Sequence, residues 1–165
     1  MDPAAASAAP PRVRLSTSPD ETREIGRRIG VAAVPGTVLA LVGPLGAGKT
    51  QLAKGIAEGL GITSVVNSPT FVLMNEHAGR LRMYHVDAYR LDDPEEASAA
   101  GLLDDRQAGG VTVVEWADRL DGWMPVERLD IRLAAHEGQP MHRTLEWHAH
   151  GPAHDRLARG ALAAR

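Results

Sequence analysis

Cysteine is absent from the 165 residues, which excludes disulfides, thiolate metal sites and thiol redox chemistry, and is compatible with residence inside the cell. Long apolar runs are missing too. The longest span five or six residues, far short of the ~20 that cross a bilayer. There is no basic excess: the net charge is −3 and the pI about 6.1. A broad surface that holds nucleic acid on its own is therefore not expected, and a nucleic-acid role would pass through a partner. The Ala- and Pro-rich segment 1–11 carries Asp2 and no basic cluster ahead of an apolar core, so it is read as a disordered tail rather than a secretory signal. No internal repeat is visible. A chain of this length suits one domain that buries about two-thirds of its unfolded surface.

Against these absences stands one strong pattern. Gly43-Pro44-Leu45-Gly46-Ala47-Gly48-Lys49-Thr50 satisfies G-x-x-x-x-G-K-[ST] at every specified position. Before it, Thr37–Val42 is an aliphatic run that reads as a buried strand. After it, Leu52, Ile56 and Leu60 recur at i, i+4 and i+8, as on the inner face of a helix. The context gives the pattern its mechanism. Gly43 opens a loop whose backbone N–H groups, from Leu45 through Gly46, Ala47 and Gly48 to Lys49 and Thr50, are expected to cradle phosphate at a helix N-terminus. Lys49 can then reach the β- and γ-phosphates, and the Thr50 hydroxyl can bind Mg²⁺. The chain is expected to bind a nucleoside triphosphate together with Mg²⁺.

The flanking segments place this loop in an α/β fold with a mixed central sheet flanked by helices, in one domain over residues 12–149. Val13–Leu15 suggests a first short strand. Ser18-Pro19-Asp20-Glu21 is a helix start: Ser18 suits the N-cap, Pro19 the first helical position, and Glu21 completes a capping box. That helix should run to about Ala33 with Ile25, Ile29 and Ala32 inward. Phe71–Met74 and Leu81–Val86 read as strands joined through Ala78-Gly79. The acidic, Ala-rich stretch from Asp92 to Asp105 reads as one or two short helices. Val111–Val114 is another buried strand, and Arg128–Leu133 with Arg143–Trp147 alternates like a half-exposed antiparallel pair. Residues 150–165 read as a frayed helix or loose tail.

Two further constellations carry chemistry. A phosphate loop needs an acid at the end of a neighbouring buried strand, and Glu115, after four apolar residues, is the candidate on the metal side. In Tyr84–Leu91, Leu81, Met83, His85 and Asp87 share one face if the strand continues that far. Asp87 then either orients water or a metal-bound water, or forms a structural pair with Arg90. His85 is read as packed or hydrogen-bonded rather than as a ligand. Ser68-Pro69-Thr70 lies where switch segments occur, so Thr70 is either a sensor of γ-phosphate or Mg²⁺ or part of a plain turn. His136, His142, His148, His150 and His154 lack ligand spacing and read as a solvated face. Trp116 and Trp147 read as core or edge anchors.

Taken together, GPLGAGKT, SPTFVLMNEH, YHVDAYRL and VTVVEWADRL resemble, in order and approximate spacing, the TsaE family of bacterial tRNA threonylcarbamoyladenosine biosynthesis. The resemblance spans about Arg12 to Trp147. It implies a phosphate-loop fold and a cytoplasmic, Mg²⁺-dependent ATPase that is slow alone. It also implies binding to the TsaB–TsaD heterodimer, with tRNA met only through that complex. Residue by residue, it implies that Lys49 holds phosphate, Thr50 and Glu115 hold Mg²⁺, and Asp87 is the acid needed for hydrolysis. Thr70 would be a switch residue, Trp116 the aromatic beside the metal acid, and Glu21 a residue near the nucleotide. The chain departs from the family pattern at Pro44, which has no N–H to donate, and at Ala88. It departs again at Gly138-Gln139-Pro140, where Gly-Arg is usual, which leaves Arg143 as the substitute at the base end.

Other readings of the same loop are a stand-alone small-molecule kinase and a nucleotide-gated interaction module with little turnover. Against the kinase, the stretch after Leu91 is acidic, with Arg106 alone ahead of the Glu115 strand where a phosphate-closing lid needs arginines.

Overall fold

A computed structural model describes residues 12–69, 73–93, 95 and 105–163. The tail 1–11, Thr70 and most of the acidic, Ala-rich stretch lie outside the described residues. The described residues form seven strands: β1 (Arg12–Ser16), β2 (Val38–Val42), β3 (Met74–His77), β4 (Met83–Asp87), β5 (Val111–Glu115), β6 (Arg128–His136) and β7 (Gln139–His150). They make one sheet in the order β1-β7-β6-β2-β5-β4-β3. The central strands β6, β2, β5 and β4 run parallel, while β1, β7 and β3 pair antiparallel at the margins. Mixed pairing of this kind explains the two patterns in the sequence. Near-continuous apolar runs fall on the inner parallel strands β2 and β5, and β4 and β5 are buried throughout. Alternation falls on β6 and β7, which have one covered face.

Three α-helices among the described residues, α1 (Pro19–Ala32), α2 (Lys49–Gly59) and α3 (Pro152–Ala161), all pack on one face of the sheet. Ile25 and Ile29 of α1, Leu52 and Ile56 of α2 and Leu157 of α3 meet Leu39, Leu41, Val113 and Ile131 there. The opposite face of the central strands, at Ala40, Val86 and Val114, is covered by Leu91 and by Ala117 and Leu120 of a 3₁₀ helix spanning Ala117–Leu120. No helix among the described residues is long and apolar enough to cross a membrane.

Several local outcomes refine the sequence reading. Ser18 caps α1, its hydroxyl accepting from Glu21 N, but the Glu21 carboxylate reaches back to Thr17 N (2.9 Å) and Thr17 Oγ1 (2.6 Å), one residue beyond the cap. The third inward residue of α1 is Ala33 and not Ala32: the helix ends at Ala32, and Ala33 takes an extended conformation and is buried. Of the strand expected over Phe71–Met74, Phe71 and Val72 lie outside the described residues, Leu73 sits in the left-handed region (φ 66°), and β3 is described from Met74 onward. Of the two readings left for the segment from His150, the helix is observed, and its Leu157, Ala158 and Ala161 join the core.

The α1–α2 packing is unusually close. A Cβ at Gly26 would lie 2.3 Å from Leu52 O, one at Gly30 2.1 Å from Ile56 O, one at Gly55 2.0 Å from Arg23 O and one at Gly59 2.1 Å from Arg27 O. The two helices touch backbone to backbone along this stripe. Arg80 closes the far end of α1, its guanidinium donating to the carbonyls of Gly30 (2.8 Å), Val31 (3.2 Å) and Ala33 (3.0 Å), groups that a helix C-terminus otherwise leaves unpaired.

α3 also reaches the central strand, since Val38 N donates to His154 Nε2 at 3.0 Å. The ring nitrogen accepts, so the imidazole is neutral there, and burial holds its pKa below the ordinary 6.5. His77 is depressed in the same direction, again first by burial and then by His85. Groups with folded pKa values below the unfolded ones stabilise the fold above pH ~6.5 and lose that contribution as pH falls, because the unfolded chain then binds more protons. Urea midpoints should therefore drop between pH 7.5 and 5.5. His154→Gln, whose amide oxygen can still accept from Val38 N, should show a shallower drop; identical slopes would remove His154 from the account.

Candidate functional site

β2 runs into the phosphate-loop segment, and the loop runs into α2. Gly43 is enforced by proximity: a Cβ there would meet Leu133 O at 2.4 Å. Gly46 and Gly48 have φ of 77° and 102°, and Gly48 is the N-cap of α2 without any side-chain cap. Ala47 N donates within the loop to Pro44 O (3.1 Å), and Gly48 O accepts from Leu52 N (3.0 Å) as the helix starts. The first turn of α2, where a helix leaves its N–H groups without intrahelical partners, thus lines a cavity of about 430 Å³.

Lys49, Thr50, Asp87 and Glu115, all named from the sequence, come together on this cavity. The sheet brings the two acids together, since Asp87 and Glu115 are directly paired residues at the C-terminal ends of β4 and β5. Thr50 Oγ1 donates to Glu115 Oε1 at 2.9 Å. Lys49 Nζ donates to the carbonyls of Gly43 (2.6 Å) and Pro44 (2.9 Å) and lies 4.0 Å from the centre of the Trp116 ring. Burial lowers the Lys49 pKa, while Glu115, Asp118 and Asp87 oppose that shift by favouring its charge.

Each Asp87 oxygen has a partner: Ser68 Oγ donates to Oδ2 (2.5 Å) and Tyr89 N to Oδ1 (2.9 Å). Trp116 follows Glu115 in the left-handed region (φ 59°), a conformation that costs of order 1 kcal/mol for a non-glycine residue. It turns the chain sharply at the strand end and stacks the indole against Tyr89, with ring centres 4.8 Å apart.

Leu45, Gly46, Ala47 and Gly48 line the cavity as well, and so does Arg143. Arg143 is tied to the loop by donating to Gly46 O (3.0 Å) and is braced by the carbonyls of Pro140 and His142 (both 2.7 Å). Glu21 is not among the lining residues, although Pro19 and Thr22 of the same helix start are. Its carboxylate is engaged by Thr17, whose hydrogen bonds hold it below the usual range. Thr70 lies outside the described residues. His85 is packed, as its place on an apolar strand suggests, with its Nε2 2.5 Å from Glu115 Oε2. Sequence reasoning missed Ser68 as the partner of Asp87, and it missed Tyr89 and Met141 as cavity walls. Ser68 and Tyr89 stand inside the quoted motifs, but only the fold brings them to the acid and the indole.

A family model described as "Threonylcarbamoyl adenosine biosynthesis protein TsaE" matches residues 16–145. The chain belongs to the TsaE family. A TsaE protein of Bacillus subtilis is 47% identical over 117 residues, covering 70% of this chain and 73% of that one. One from Treponema pallidum is 39% identical over 119 residues, covering 72% and 88%. A crystal structure of Bacillus subtilis YdiB superposes with a TM-score of 0.76 at 36% identity, over 90% of this chain and 92% of that one. Membership assigns this TsaE protein to the biosynthesis of threonylcarbamoyladenosine in tRNA. The matched span ends at Leu145 and so leaves α3 outside it.

Proposed function

We propose that the chain is a Mg²⁺-dependent ATPase that serves threonylcarbamoyladenosine formation in the cytoplasm together with the TsaB–TsaD heterodimer, meeting tRNA only through that complex. The observation that carries the reading is the convergence of Lys49, Thr50, Asp87 and Glu115 on one cavity at a helix N-terminus. The donor set suits Mg²⁺: Thr50 Oγ1 and Glu115 Oε1, already 2.9 Å apart, are hard oxygen ligands of the type this ion takes. When bound, Mg²⁺ neutralises charge on the phosphate oxygens.

The chain's own groups do the rest. Lys49 supplies a positive charge in a buried place, where it acts on phosphate more strongly than in water. The α2 N-terminus and loop N–H groups fix the phosphates in line. Asp87, held by Ser68 and Tyr89 N, can orient an attacking water and take its proton. Trp116 and Tyr89 wall the site beside them. Thr70, two residues from Ser68 in sequence, is the proposed switch residue, and Arg143 the proposed contact toward the base.

The test is ATP hydrolysis by the pure protein with and without Mg²⁺, repeated after adding TsaB–TsaD, with Lys49→Ala as control. Low Mg²⁺-dependent turnover that rises with the heterodimer and falls at least ~100-fold in Lys49→Ala is the expected outcome. Phosphate transfer to an added metabolite, without stimulation by the heterodimer, would move the assignment to a kinase.

A further inference from the structure

Glu115 is held at both oxygens. Oε1 accepts from Thr50 Oγ1 at 2.9 Å, and Oε2 faces His85 Nε2 at 2.5 Å. The imidazole is fully buried and the carboxylate nearly so, at 0% and 2% exposure. A carboxylate acting as a cation ligand only accepts, so in that role of Glu115 the hydrogen of this contact is on Nε2. The other ring nitrogen, Nδ1, is buried and has no hydrogen-bond partner among the described residues, so Glu115 is the contact that fixes the ring.

The register explains how they meet. His85 lies opposite Val113 and Asp87 opposite Glu115 on parallel strands, which puts the imidazole one pleat below the strand-end acid on the same face. A strand-end carboxylate without such a tie can swing to offer either oxygen, or both, to a cation. This one has Oε2 committed to a ring in the core.

We propose that His85 is a positioning residue that occupies Glu115 Oε2, so that Oε1 alone is presented beside Thr50 as a single oxygen donor for a divalent cation. The inference rests on the reading that a Mg²⁺–nucleotide occupies the cavity. Loss of an outer partner of this kind typically costs ~10–100-fold in metal affinity, because the ligand loses its orientation and basicity. A histidine that only filled space would leave the metal response alone.

The experiment is a Mg²⁺ titration of fluorescent-ADP binding for wild type, His85→Leu and His85→Gln. The half-saturating Mg²⁺ concentration should rise ~10–100-fold in His85→Leu. It should return most of the way in His85→Gln, whose side-chain amide can place an N–H where imidazole Nε2 stands. Affinity for the nucleotide without Mg²⁺ should be the same in all three. A folded His85→Leu protein with the wild-type Mg²⁺ midpoint overturns the inference.

If His85→Leu does not fold, nitrogen-resolved NMR of the wild-type ring decides. The expected result is a hydrogen on Nε2 whose signal moves when Mg²⁺ joins the nucleotide complex. A ring protonated on Nδ1 alone, or an Nε2–H signal indifferent to Mg²⁺, overturns it. Wild-type nucleotide binding that ignores Mg²⁺ overturns the metal reading of the site and this inference with it. A normal wild-type response with unmoved His85 variants overturns this inference alone.

Discussion

Asp87→Asn should bind nucleotide within about threefold of wild type while hydrolysing it ~100–10,000-fold more slowly, the range lost when a positioned general base is removed. The asparagine is nearly isosteric, and its Oδ1 can still accept from Tyr89 N, a bond of 2.9 Å. Ser68 Oγ, which now donates to Oδ2, can turn its lone pair to the new amide. The site should therefore keep its shape and lose only the carboxylate proposed to take a proton from water. Single-turnover hydrolysis alongside fluorescent-nucleotide binding separates the two effects. Equal loss of both would instead make Asp87 a structural support of the loop. Unchanged hydrolysis would remove it from the chemistry altogether.

The largest effect on stability should come from Gly55→Ala. In an open helix this change is favourable by ~0.5–1 kcal/mol, since glycine loses more backbone freedom on folding. Here the new Cβ would lie 2.0 Å from Arg23 O and 2.8 Å from its carbonyl carbon. Neither is a flexible side chain that can step aside, so α1 and α2 must separate and their shared core must loosen. Overpacking of this kind costs ~1–3 kcal/mol or more, which outweighs the helical gain. A loss of ~3 kcal/mol corresponds to roughly 6–12 °C in melting temperature for a domain of this size. Gly160→Ala in α3 is the internal control, because a Cβ there meets nothing within 4 Å, and it should raise the melting temperature slightly. If Gly55→Ala melts at or above wild type, the close approach of the two helices is wrong.

What the sequence revealed follows from the range over which each signal acts. β2, β4 and β5 were legible because strands buried on both faces must be apolar almost throughout, and their terminal acids stand out against that background. The phosphate-loop segment was legible because its glycines, lysine and threonine are contiguous. Ala33 escaped because its burial depends on the helix having ended one residue earlier, an event that periodicity does not encode. The left-handed conformation of Leu73, just ahead of β3, is likewise a single-residue event that no periodicity announces. The backbone contact of α1 with α2 was hidden because the close approach at Gly26, Gly30, Gly55 and Gly59 exists only once the partner helix is in place. His85 could be named as a packed histidine, but its hold on Glu115 needs the β4–β5 register, which no single strand contains.

The pairing of β1 with β7 and the Val38–His154 bond have a consequence for how the protein is made. β1 docks Arg12–Ser16 against Arg143–Trp147, β2 has its parallel neighbour β6 only from Arg128 onward, and Val38 N finds its acceptor 116 positions later. During synthesis, the segment bearing Lys49 and Thr50 leaves the ribosome long before the strands that fix it beside Asp87 and Glu115. A nascent chain stopped short of β6 carries the whole loop motif on a strand with one margin unpaired. The cavity lined by Lys49, Asp87, Glu115 and Arg143 thus needs β7 as well as the loop motif.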